Sequence, residues 1–150
     1  MRSIFFLIFI SVISIKLCCQ PLGTDSLIQQ LEKPSEDTNR VNLLLNITSK
    51  LFFYKPDISL EYSTKALTLS RNLGYTKGML SALTLAGEAS RLVGDYPGAL
   101  KFQFEALEIN RKLKYADGEA TNLGFIGVIY LGLREYREDR KSTRLNSSHG

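Results

Sequence analysis

Tryptophan is missing from this 150-residue chain, histidine occurs once, at His149, and the two cysteines, Cys18 and Cys19, sit side by side near the N-terminus. The stretch from Gln20 to Glu138 therefore has no thiol and no imidazole. That excludes from it a disulfide framework, a thiolate or imidazole metal site and a cysteine or histidine nucleophile. An excess of one charge is missing as well, since the same stretch balances 14 Lys and Arg with 14 Asp and Glu. The formal charge of +4 comes from the two ends, where Arg2, Lys16, Arg140, Lys141 and Arg144 outnumber Asp139. A nucleic-acid binder concentrates cations on one folded face to displace counterions. This stretch has no such concentration, so nucleic acid is not an expected partner. The acidic pairs Glu105/Glu108 and Glu135/Glu138 have helical spacing and read as a solvated helix face. No catalytic residue, metal or cofactor is expected.

One long apolar run exists, Ile4 to Ile15, broken only by two serines and preceded by Arg2. It is long enough for export machinery and short for a bilayer span, and polar, turn-prone Gln20-Pro21-Leu22-Gly23 follows it. Residues 1–19 therefore read as a signal peptide, cut after Cys19 or Gln20, which makes the protein exported to the periplasm or cell envelope. A lipid anchor on Cys18 or Cys19 is the rival reading, and Ile15-Lys16-Leu17 matches poorly the small residues it requires. Apart from such an anchor, contact with a membrane is expected only through a segment lying downstream.

The other end lacks apolar periodicity. Residues 139–149 resemble the in-frame translation of a short-read sequencing adapter, the codon for Glu138 supplying its first base. Residues 139–150 are thus expected to be a non-native tail that adds nothing to a helix, with the natural reading frame continuing past Glu138.

Between these ends the chain repeats itself. Ala66, Leu67, Leu69, Arg71, Leu73, Tyr75 and Gly78 recur forty residues later as Ala106, Leu107, Ile109, Arg111, Leu113, Tyr115 and Gly118. Leu43, Leu83 and Leu123 take one position in three units, Gly87 pairs with Gly127, and Tyr96 with Tyr136. A period of this length marks a solenoid of helix pairs. The spacing predicts first helices over about 36–54, 77–93 and 118–131, with Ser35 capping the first. Second helices are predicted over about 58–73 and 97–113. Gly132 reads as a helix stop, after which a third second helix would begin near Glu135. Residues 20–35 form a leader with a short helix over 26–33, capped by Asp25 and closed by Pro34.

In the second unit, Leu83, Ala86-Gly87, Gly94-Asp95-Tyr96, Ala99-Leu100 and Ala106-Leu107 resemble the signature of tetratricopeptide repeats. The resemblance implies an all-α fold of antiparallel hairpins stacked in a short right-handed solenoid, about two and a half repeats spanning residues 36–138. Gly87 is expected to face Ala99, and Ala106 to admit the next helix. Unit one departs from the signature, with Ile47 in place of the glycine and Ser59 in place of the alanine.

In this family the first helix of each unit lines a concave groove. The resemblance puts Val41, Leu44, Thr48, Leu51 and Phe52 there from unit one. Unit two adds Ser81, Thr84, Glu88, Arg91 and Leu92, and unit three Thr121, Gly124, Val128 and Leu131. The Asn and Lys set that clamps acidic tails is missing. The expected function is a non-catalytic scaffold for a protein or peptide partner. Exported repeats with this leader are similar to the N-terminal sensor or docking regions of larger bacterial signalling proteins. A stand-alone periplasmic adaptor is the alternative.

Overall fold

A computed structural model describes residues 24–32 and 37–147, so the expected signal peptide, the Ser35 cap, Pro34 and His149 lie outside the described residues. The chain divides at Pro34 and Ser35 into two compact units. In the first, the described residues form one helix, α1 (Thr24–Leu31), which begins earlier than expected and holds Asp25 inside its first turn.

The second unit owes its course to one kind of turn used three times. The backbone enters the left-handed region at Gly74 (φ 62°), Gly94 (φ 84°) and Lys114 (φ 55°), twenty residues apart. At each, the next residue donates its N–H back across the helix end, Tyr75 to Ser70, Asp95 to Ser90 and Tyr115 to Asn110, all at 2.9 Å. Gly74, Gly94 and Lys114 themselves donate to the carbonyls of Arg71, Arg91 and Arg111 at 3.0–3.1 Å. These two bonds occupy carbonyls that a helix end otherwise leaves open, and they reverse the chain within three residues. Glycine takes such a φ without a Cβ penalty, whereas Lys114 does not.

The helices so delimited are α2 (Thr38–Leu51), α3 (Pro56–Asn72), α4 (Thr76–Leu92), α5 (Tyr96–Lys112) and α6 (Ala116–Ser147). Their starts follow from local chemistry. Asp37 accepts from the Arg40 N–H at 3.0 Å and Asp95 from the Gly98 N–H at 3.0 Å, and prolines occupy the first turns of α3 and α5. The cap of α2 is therefore Asp37, two residues after the expected Ser35. Each helix packs on the next along the chain, and α2 touches α4 as α4 touches α6. The fold is all-α, antiparallel hairpins stacked side by side. No helix among the described residues is long and apolar enough to cross a membrane.

Small side chains set the spacing of the stack. Ala66, Ala82, Ala86, Ala89, Ala99 and Ala106 are fully buried, with Val41, Ile47, Leu83 and Ile129 filling the space between them. Each large apolar side chain so buried contributes about 1.5–3 kcal/mol. Gly87 is buried too, and the atoms nearest to a Cβ built there belong to Gln103, the first being Nε2 at 2.6 Å.

Unit one is out of the forty-residue register by one. The buried residues of α2 are Val41, Leu44, Ile47, Thr48 and Leu51, and a shift of thirty-nine carries the last four onto buried Leu83, Ala86, Gly87 and Ser90. Unit one is one residue short between its helices: α2 ends at Leu51, whereas α4 runs to Leu92, two residues past the equivalent Ser90, and the first turn, Phe52 to Lys55, is longer than the others by only one residue. Leu44, not Leu43, is thus the partner of Leu83, and Thr48, not Ile47, occupies the glycine position.

Unit three departs further. Gly132 does not end the helix; α6 runs unbroken through it to Ser147. A Cβ on Gly132 would sit 2.9 Å from the Tyr96 ring, so the glycine there serves close approach, and Tyr96 and Tyr136 lie 6.1 Å apart between centroids. The residues one repeat on from Gly94-Asp95 are Arg134-Glu135, which lack the glycine, and Arg134 instead pairs with Glu138 one helical turn later at 3.5 Å. Residues 139–147, expected to stay out of any helix, continue α6 because no Gly or Pro interrupts them. Of these, residues 139–141, 143 and 144 are exposed.

With no hairpin partner among the described residues, α6 buries only one side. Asn122, Ile126 and Ile129 are buried, as Ala82, Ala86 and Ala89 are one repeat earlier, and α6 packs on α5 and α4. The expected repeat positions Leu123 and Gly127 are exposed, together with Tyr130, whereas their equivalents Leu83, Gly87 and Ser90 are buried.

Candidate functional site

The first helices of the three units share one groove of about 550 Å³. Unit two supplies its centre with Leu80, Ser81, Thr84 and Leu85 on α4. Unit one adds Leu45, Asn46 and Ser49, and a shift of thirty-nine relates Leu45 and Asn46 to Thr84 and Leu85. Gly118, Thr121 and Asn122 on α6 close the far side, with Tyr115 from the turn and Asn110 from α5. None of these residues is Lys, Arg, Asp or Glu. The surface they offer is leucine interleaved with hydroxyl and carboxamide groups.

Of the residues expected to line the groove, Ser81, Thr84 and Thr121 do so. Most of the others do not, and the one-residue register shift explains unit one. Val41, Leu44, Thr48 and Leu51 are buried in the core, and the Thr48 hydroxyl donates to the Leu44 carbonyl at 2.9 Å. Phe52 caps α2 and meets Phe53 edge-on at 4.9 Å. Glu88 and Arg91 turn to one another at 3.4 Å, their side chains only 14% and 27% exposed, so their charges serve each other. Leu92 is exposed at the end of α4, and Val128 and Leu131 are exposed on α6; none of them lines the groove.

Beneath the groove runs a chain of carboxamides that the sequence reading missed. Gln103 Nε2 donates to the Thr84 carbonyl at 3.2 Å, Asn122 Nδ2 to Gln103 Oε1 at 2.8 Å, and Asn110 Nδ2 to Asn122 Oδ1 at 2.7 Å. All three side chains are at least 96% buried. No family model and no curated protein matches this chain. A signal for the carboxamides was present: Gln103 and Asn110 fall on the helical stripe of Ala99 and Ala106, where an apolar core residue is the ordinary occupant. Among the described residues, no three His, Cys, Asp or Glu come together in a metal-holding group.

Proposed function

We propose that this chain is a non-catalytic scaffold of the tetratricopeptide-repeat type that docks an extended segment of a partner protein in the groove across α2, α4 and α6. The observation that carries this reading is that equivalent helices of three successive units build one continuous uncharged groove. Groove-lining leucines supply apolar area, and the hydroxyls and carboxamides between them suit the alternating faces and backbone groups of an extended chain. The layout of Arg2 and Ile4 to Ile15 supports export, and with it a role as the sensor or docking region of a larger bacterial signalling protein.

The test is peptide selection on the full chain, followed by fluorescence polarisation with the best binder. Ser81→Trp fills the centre of the groove and is expected to abolish binding. Lys101→Trp, on the exposed side of α5, is expected to leave it unchanged. The opposite pattern would refute the groove as the docking site.

A further inference from the structure

We infer that α6 is a self-association surface, on which a second copy of this chain seats its own α6 antiparallel, about a two-fold axis between Phe125 and Ile126.

The surface originates in the break of the repeat. Leu83 and Gly87 are buried in the hairpin of α4 with α5, whereas Leu123 and Gly127, one repeat on, are exposed, with no hairpin partner for α6 among the described residues. Val128, Tyr130 and Leu131 are 47%, 51% and 61% exposed beside them. No charged residue occurs from Ala120 to Leu133. An apolar face of this extent along one helix is an interaction site or an aggregation hazard.

Register and charge decide what covers it. Asp117, Ala120, Gly124, Gly127, Leu131 and Arg134 are all exposed, and they follow one another at alternating spacings of three and four residues. That is the spacing of a seam along which two helices pack side by side. Buried Asn122, Ile126 and Ile129 lie about half a turn round the helix, so the seam points away from the stack and a second chain reaches it unobstructed.

Turned end for end, the seam matches itself. Gly124 then lies opposite Gly127, Ala120 opposite Leu131 and Asp117 opposite Arg134, each pair occurring twice, with Leu123 and Val128 meeting at the flanks. A Cβ on Gly124 or Gly127 would meet nothing within 4 Å, so the space over the centre is open to a partner's backbone. Ala120 leaves room for Leu131. At both ends a carboxylate meets a guanidinium, whereas a parallel pairing would set Asp117 against Asp117 and Arg134 against Arg134. Arg134 is held within its own chain by Glu138 at 3.5 Å, with both side chains mostly exposed, a pairing weak enough for the guanidinium to turn across the interface. A face whose centre and ends complement themselves points to a second copy rather than to an unrelated helix.

The experiment is sedimentation equilibrium on the full chain, with reductant present so that Cys18 and Cys19 form no link between copies. The parent is expected to dimerise in the micromolar range. Gly124→Arg puts a cation at the centre of the seam in each copy and should leave a monomer whose circular dichroism matches the parent's. Asp117→Arg sets like charges together at both ends and should weaken the dimer about tenfold, and adding Arg134→Asp to the same chain should restore it. If Gly124→Arg disturbs the spectrum, the charge variants carry the test alone, both positions being exposed. A monomeric parent overturns the proposal, and so does a dimer that a folded Gly124→Arg leaves intact, since its contact then lies elsewhere. A dimer indifferent to Asp117→Arg, or weakened by it and not rescued by Arg134→Asp, overturns the antiparallel seam.

Discussion

Adding one methyl group at Gly87 and at Gly127 is the same change at the same position of successive repeats, and the structure assigns it opposite signs. In a helix interior Gly→Ala is worth about 0.5–1 kcal/mol of stabilisation. Gly127 receives that gain undiminished, because a Cβ there meets nothing within 4 Å. At Gly87 the new carbon would lie 2.6 Å from Gln103 Nε2 and 3.1 Å from its Cδ and Cγ, so Gln103 has to move. Moving it stretches the bond to the Thr84 carbonyl and the bond from Asn122, both in the core. Overpacking and a stranded buried polar group each cost about 1–3 kcal/mol. Net destabilisation of about 1–3 kcal/mol is expected for Gly87→Ala, against a slight gain for Gly127→Ala. Urea denaturation followed by circular dichroism measures both. A third protein isolates the cause: in a Gln103→Ala background, Gly87→Ala should lose most of its penalty, a coupling that only direct contact produces. If Gly87→Ala melts at or above the parent, or both variants move in the same direction, the account of the α4–α5 contact is wrong.

Lys114 holds a φ of 55° where the two sister turns use glycine, so Lys114→Gly should stabilise by about 1 kcal/mol, and Gly94→Ala should destabilise by a similar amount; thermal melts read both. Arg91→Glu sets a second carboxylate against partly buried Glu88 and should cost about 1–3 kcal/mol, seen as a lower urea midpoint at unchanged slope. Residues 139–141, 143 and 144 are exposed, so ending the chain at Glu138 should shift stability by less than about 0.5 kcal/mol in calorimetry. A larger loss would show that the tail contributes to the fold.

Much of the architecture was legible because local chemistry and repetition state it outright. A recurring apolar and small-residue pattern at forty residues, Asp95 ahead of Pro97, and the glycines of two turns specify helices and reversals through interactions only a few residues long. The helices over 56–72, 76–92 and 96–112 were read to within a few residues for that reason. The groove was read only in part. Its centre on α4 was found, since Ser81 and Thr84 are among the residues that the tetratricopeptide resemblance implied, but its unit-one wall was not.

By itself, then, the sequence determined the fold class, the hairpin count up to α5 and the absence of thiol and imidazole chemistry from residues 20–138. Tertiary structure decided the rest, wherever the outcome depended on a neighbour rather than on the residue. Counting letters cannot see that one residue fewer between α2 and α3 shifts α2 by a position, burying Thr48 and Leu51 and turning Leu45, Asn46 and Ser49 to the groove. Equal letters at Gly87 and Gly127 have unequal surroundings because α5 covers one of them and no described helix covers the other. Gly132, a stop by its type, lies inside α6, and the Tyr96 ring occupies the space a side chain there would need. The chain of carboxamides exists only because the fold brings Thr84, Gln103, Asn110 and Asn122 together from three helices.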